Sequence, residues 1–216
     1  MRALKLEIYQ EIACYKKPMA FKTTETYPLP PYSTVIGMIH KVLKAEEYIP
    51  MEISIQGKYE SLMNCYNTMM FYKSGDISKM PLNINMLYGI DLIIHIKADE
   101  KILDDIHKGI RTCNECLSLG RGEDMARLDS IKYVEVSEAN MEEYDSSITL
   151  TNNFYIPKNY ELGLKGIKYK LNKRYEILGN IRRWKEKIEV NYVEEKSELE
   201  NGVFYLDSEE DLVFFA

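Results

Sequence analysis

The stretch PLPPYSTVIGMIHKVL, residues 28–43, sets the architecture of the chain. Pro30 and Pro31 stop any earlier element, because proline fixes φ and has no backbone N–H to donate, and Ser33 or Thr34 is placed to cap a helix. Val35, Ile36, Ile39, Val42 and Leu43 recur at helical spacing and form one apolar stripe, which leaves Ser33, Gly37, Lys41 and Lys44 on the opposite side. Upstream, Leu4, Leu6 and Ile8 alternate with Lys5, Glu7 and Tyr9, the period of a half-buried strand. Downstream, residues 52–58 alternate again with Ile53 and Ile55 inward, and residues 90–97 place Ile90, Leu92, Ile94 and Ile96 on one face. Asp99 is placed to cap a second helix whose stripe is Ile102, Leu103, Ile106, Ile110, Cys113 and Leu117 and whose stop is Gly120. Residues 131–136 supply one more strand.

Strand, helix, strand, strand, helix, strand is the split arrangement of an α+β, ferredoxin-like domain, over about residues 1–145. Its helices are expected on one face of the sheet, with Lys5, Tyr9, His95 and Lys97 pointing to the other. Residues 64–87, which mix Asn and Met with Gly75, Pro81, Tyr66, Phe71 and Tyr72, read as a long connection or extended hairpin rather than a core element. Residues 146–216 hold short apolar runs between Gly163, Gly166, Gly179 and Gly202, which suggests a small antiparallel β extension packed on the first domain. A fold of this kind does not name a function, because it hosts many.

The chain has 216 residues and a net charge of −6, from 28 basic and 34 acidic side chains. That balance alone argues against a polyanionic partner. Its distribution argues otherwise. Between Lys165 and Lys187 nine Lys or Arg face only Glu176 and Glu186, a local balance of +7, and Tyr169, Tyr175 and Trp184 interleave with them. Residues 188–216 carry nine carboxylates against Lys196 alone, a balance of −8. The two blocks can be solvated faces that pair with one another. Cations interleaved with aromatic rings also suit nucleic acid, because rings stack on bases while cations take phosphates. No run approaches the ~18 apolar residues of a membrane span, and charges occupy the place of a signal peptide's apolar segment, so a cytoplasmic chain is expected.

Chemistry-bearing motifs are sparse. Cys113 and Cys116 form a CxxC late in the second helix, and a structural zinc site would need a second ligand pair, so buried thiols are the expected reading. His40 and His107 flank their helical stripes, and His95 has no evident carboxylate partner beyond Asp91. Neither a serine triad, a metalloprotease motif, a Walker loop nor a dinucleotide fingerprint is present. The segment SLGRGEDMARL, residues 118–128, is more informative. Gly120 and Gly122 allow close backbone approach, and Arg121 and Arg127 offer guanidinium forks suited to phosphate oxygens, although a plain helix-to-strand turn explains the glycines equally well.

With PLPPYSTVIGMIHKVL after a basic strand and LGRGEDMARL after the second helix, the chain resembles the Cascade subunit that caps the 5′ handle of CRISPR RNA (crRNA). That is the fifth core CRISPR-associated family of the RAMP superfamily, and the YPLPPYSTVIG wording looks most like its type I-B branch. The matching residues are about 1–43 and 117–128. The resemblance implies a subunit that holds a short single-stranded RNA handle, with a thumb hairpin at residues 64–87, and that contacts the repeated backbone subunit and the large subunit of the complex. Target DNA would be met only indirectly, because target choice is delegated to base pairing with the guide. Neither cofactor nor metal is expected. Candidate RNA-binding residues are Lys16, Lys17, Lys22, Tyr32, Ser33, Thr34, Gly37, Lys41, Lys44, Tyr72, Lys73, Arg121 and Arg127. One branch of the family resembles a metal-independent repeat endoribonuclease that works with a tyrosine and a lysine–histidine pair. This chain has no lysine followed directly by histidine; His40–Lys41 and His107–Lys108 are the nearest substitutes. A non-catalytic role is therefore expected, with repeat cleavage as the alternative.

Overall fold

Alternation of Leu4, Leu6 and Ile8 with polar neighbours builds one of the inner strands of the sheet. In the computed structural model, which describes residues 1–18, 23–179 and 181–216, that strand is β1 (Arg2–Ala13). It is followed by β2 (Thr23–Thr24), α1 (Tyr32–Leu43), β3 (Glu52–Lys73), β4 (Asp76–Lys97), α2 (Glu100–Thr112) and β5 (Arg127–Asn140). A short 3-10 turn leads into β6 (Ile148–Thr149), β7 (Asn153–Pro157), β8 (Ile167–Leu178), β9 (Ile181–Val193), β10 (Glu198–Leu199), β11 (Val203–Asp207) and β12 (Leu212–Val213). The four inner strands run in the order β5-β1-β4-β3 with every neighbouring pair antiparallel, and the helices make the two crossovers. The later strands extend both edges of this sheet: β7, β9 and β8 continue from β3, while β11 and β12 continue from β5.

Because side chains alternate across a strand, the sheet has two cores. Leu4, Leu6 and Ile8 bury with Val35, Ile36 and Ile39 of α1 and Leu103, Ile106 and Ile110 of α2. On the opposite face Ala3 meets Val134, Val136, Val213 and Phe215, while Phe154, Phe204 and Phe214 sit in a further cluster. The expected outward row is accordingly covered in part. Lys5 is 2% exposed and is ringed by Asp207, Glu209 and Asp211, and His95 is fully buried with its Nε2 3.0 Å from Asp207 Oδ2. Part of the acidic C-terminal block thus neutralises a lysine beneath the sheet.

The structure departs from local expectation at three places. Pro31, with extended backbone, takes the N-cap of α1, so Ser33 and Thr34 lie within the first turn and their hydroxyls do not cap it. The second helix stops at Thr112, because Cys113 turns to extended geometry (ψ 122°) and Asn114 and Glu115 break the apolar period before Gly120 is reached. Cys113 and Cys116 are in consequence exposed, not buried, and all four cysteines are free thiols. Residues 64–87 lie within the continuous β3–β4 hairpin, which closes at a two-residue turn where Gly75 has φ +86°. Most of that distal half is exposed, but Leu82 and Ile84 bury against Cys14, so the segment does have a small core of its own. Among the described residues no helix is long and apolar enough to cross a membrane.

Candidate nucleic-acid interface

The outward side of α1 is only partly open to solvent. β8 packs against the helix, and His40, outside the apolar stripe, is buried against its Tyr175; Met38 is buried too. Between α1, the segment after β1, the 118–122 loop and the β8–β9 hairpin lies a cleft of about 580 Å³. Lys16, Lys17, Ser33, Thr34, Gly37, Lys41 and Arg121 line it, so seven of the thirteen candidates converge there. Tyr27, Asn172 and Trp184 complete the walls, and among the described residues that line it none is a carboxylate. The first turn of α1 contributes the positive end of a helix dipole to the same space. In a protein of net charge −6, this is a local concentration of cations and donors.

The loop wall is held by one buried carboxylate. Asp124, 1% exposed, accepts at Oδ2 from the backbone N–H of Cys14 (3.0 Å) and of Arg121 (2.8 Å), and at Oδ1 from the Arg121 guanidinium (2.7 Å). The hydrogen bond to Asp124 raises the Arg121 pKa, so this side chain remains a cation. Gly120 bends the loop at φ +118°, and a side chain there would strike Asp124 Oδ2 at 2.7 Å. Gln10 ties the loop to β1, donating from Nε2 to Leu119 O at 2.9 Å and accepting at Oε1 from the Tyr15 hydroxyl at 2.6 Å. The glycines therefore serve a turn, and the turn aims an arginine into a cleft.

The other cations differ in their freedom. Lys17 pairs with Glu25 at 3.3 Å and lies 5.8 Å from the Tyr27 ring, and Lys41 pairs with Glu115 at 3.1 Å across exposed surface. Such exposed pairs are weak and yield readily to a phosphate. Trp184 is 47% exposed, with its ring edge-on to Tyr175 at 6.1 Å.

The remaining candidates lie elsewhere. Tyr32 is fully buried, its hydroxyl 3.5 Å from the Tyr155 carbonyl oxygen, so it offers no surface for a base. Arg127 sits 4.5 Å over the Tyr9 ring and forks onto Asp129, away from the cleft. Tyr72 and Lys73 are exposed at the tip of the β3–β4 hairpin, and Lys44 closes α1 in left-handed geometry (φ 51°) beside, not within, the cleft. Lys22 lies outside the described residues. Sequence reasoning does not single out Asp124 or Asn172. The D of LGRGED is the only sequence signal for the first, and nothing local signals the second, because β8 reaches α1 from more than a hundred residues away.

A family model described as CRISPR-associated protein (Cas_Cas5) matches residues 3–153, well over half of the chain. The chain belongs to the CRISPR-associated Cas5 family. In this Cas5 family member the match takes in α1, Arg121 and Asp124 and stops before the β8–β9 hairpin. Solved structures extend the likeness of fold further. A chain of a CRISPR RNA-guided surveillance complex superposes with a TM-score of 0.64 at 12% identity over 91% of each chain. A CRISPR protein from Archaeoglobus fulgidus gives 0.50 at 11% identity over 100% of both chains. A further Cas protein gives 0.51 at 11% identity, covering 92% of this chain and 95% of the other. No curated protein sequence matches this Cas5 family member.

Proposed function

We propose that this protein is a non-catalytic subunit of a CRISPR surveillance complex that holds the 5′ handle of the crRNA in the cleft beside α1. The observation that carries this reading is the convergence of Lys16, Lys17, Lys41 and Arg121, without a described lining carboxylate, next to the exposed ring of Trp184. A single-stranded handle is gripped through its backbone phosphates and by stacking of its splayed bases, and the cleft offers groups for both. The β5-β1-β4-β3 core with its two crossover helices fits a ferredoxin-like RAMP domain, and the long β3–β4 hairpin fits a thumb that reaches the repeated backbone subunit. The large subunit is the other expected neighbour.

Support for the non-catalytic half comes from the histidines. A metal-independent ribonuclease needs a base that reaches a 2′-hydroxyl. His40 is 5% exposed, with Nδ1 3.1 Å from the Tyr175 hydroxyl and Nε2 3.3 Å from the Ile49 backbone. His107 stacks on Tyr133 at 5.0 Å, and His95 is buried with Asp207.

The test is equilibrium binding of repeat-derived handle RNA across a salt series. Arg121→Ala and the Lys16→Ala, Lys17→Ala pair should weaken capture, each lost phosphate contact lowering the log–log salt slope by about 0.7. Unchanged affinity and slope in both variants would remove the cleft from RNA binding.

A further inference from the structure

The cleft does not end at Lys41. A second depression of about 560 Å³ opens farther along α1, and Gly37 and Lys41 line both. Of these two shared residues Gly37 carries no side chain, and a Cβ placed on it would meet nothing within 4 Å. The surface of α1 therefore dips at Gly37 into a saddle, with Lys41 one turn farther along. Trp184 lines the first depression, and Tyr175, whose ring stands perpendicular to it at 6.1 Å, lines the second. Beyond the saddle the Arg174 guanidinium lies 5.2 Å over the Tyr48 ring, a flat cationic platform, with Lys44 and Lys185 on the same walls. Glu46, Glu47 and Glu176 also line this space, Glu176 paired with Lys185 at 2.5 Å, as does the 5% exposed His40, whose two ring nitrogens are engaged by the Tyr175 hydroxyl and the Ile49 backbone.

We propose that the second depression is a further single-stranded RNA subsite, so that a strand leaving the first cleft crosses α1 at Gly37, passes Trp184 and sets its next nucleotides against Arg174, Tyr48 and Lys44. The inference rests on the reading of the first cleft as an RNA site and adds its direction and length. A saddle without a side chain lets the sugar-phosphate backbone cross a helix closely. Arg174 is suited to stack on a base and to fork onto a phosphate at once, which lysine cannot do.

The experiment measures fluorescence anisotropy of the full chain with single-stranded RNAs of about 4 and about 9 nucleotides, within the site sizes known for stacking platforms. The longer RNA should bind the unaltered protein at least about tenfold more tightly. Arg174→Ala should bring the longer RNA down to the affinity of the shorter one and leave the shorter one unchanged. Lys44→Gly, which removes a cation while suiting the left-handed backbone, should remove part of the length dependence, and Gly37→Leu should weaken the longer RNA by raising the saddle. Equal binding of both lengths by the unaltered protein, or full length dependence in Arg174→Ala, overturns the second subsite while the first reading stands. Absence of binding to either RNA overturns both.

Discussion

Asp124 holds Arg121 at two points: Oδ1 accepts from the guanidinium at 2.7 Å while Oδ2 accepts from the arginine's own backbone N–H at 2.8 Å. The carboxylate therefore fixes both where the arginine starts and where it ends. Asp124→Asn, which has one donor group in place of an acceptor oxygen, should cost about 2–3 kcal/mol in a urea titration, because buried donors on Cys14 and Arg121 lose a charged partner. It should also weaken RNA capture as much as Arg121→Ala does, although Asp124 itself repels phosphate. An Asp124→Asn protein with undiminished RNA affinity would show that the loop orders itself without the carboxylate.

Lys5 beneath the sheet is the second place where one residue carries several others. Lys5→Met leaves the buried Asp207 without its lysine and should destabilise the fold by about 3–5 kcal/mol, while Lys5→Met with Asp207→Leu should cost less than the sum of the two single changes. Chemical denaturation of the single and double variants measures this, and an additive double variant would count against the coupling.

The same cluster sets an acid limb of stability. Burial pushes the Asp207 carboxyl upward, but hydrogen bonds from His95, from the backbone N–H of Asp211 and Glu209, and from Lys5 outweigh it and hold the group below its ordinary 3.8. A depressed carboxylate contributes stability that is complete above its unfolded pKa and is lost as pH falls toward the folded value. Melting temperature should accordingly drop on acidification below about pH 4, and Asp207→Asn should flatten that dependence. At the alkaline end Lys5 behaves in the opposite sense. Burial lowers its pKa, yet the bonds to Asp211, Glu209 and Asp207 raise it above 10.5, so its contribution is complete below the unfolded value of 10.5 and is lost as pH rises from there toward the raised folded value.

Thiol reactivity should separate the four cysteines. Cys113 and Cys116 are exposed and should react with Ellman's reagent first, Cys65 more slowly, and Cys14 last, because it is buried and burial raises its pKa. Mass mapping after brief alkylation checks the order; early modification of Cys14 would mean that the Leu82–Ile84 cluster opens readily.

The β3–β4 hairpin should be separable from the fold. Replacing residues 68–81 with Asn-Gly keeps the Asn67–Leu82 register and the buried Leu82 and Ile84, so melting should shift by only a few degrees. Assembly with partner subunits, read by size-exclusion chromatography, should fail if the hairpin is a thumb, and normal assembly would make it a loop.

Much of the interface is legible where one helix carries it. The 3.6-residue period of α1 puts Ser33, Gly37 and Lys41 on one face, and the structure keeps them together. Tyr32 misleads because it adjoins that face in sequence yet points into the core. The second helix reads too long, because Cys113 and Leu117 continue its spacing while the chain has already turned. Lys5 and His95 fall on the expected side of the sheet, but their carboxylates come from residues 207–211, and no local pattern announces a contact across two hundred positions. Trp184 stands out for its basic neighbours; its place beside α1 depends on strand order, which composition does not encode.

The distance in sequence between Lys5 and Asp207 also bears on how the molecule is made. At about 5–20 residues per second, the ribosome delivers the counter-ion of Lys5 roughly 10–40 s after the lysine itself. Until then the underside of β1 and β4, with Ala3, Lys5 and His95, has nothing to cover it. The helix-covered face can consolidate early, whereas the opposite face is sealed only when β11 and β12 arrive, so the nascent protein passes through a half-dressed sheet that chaperones or premature strand pairing can claim.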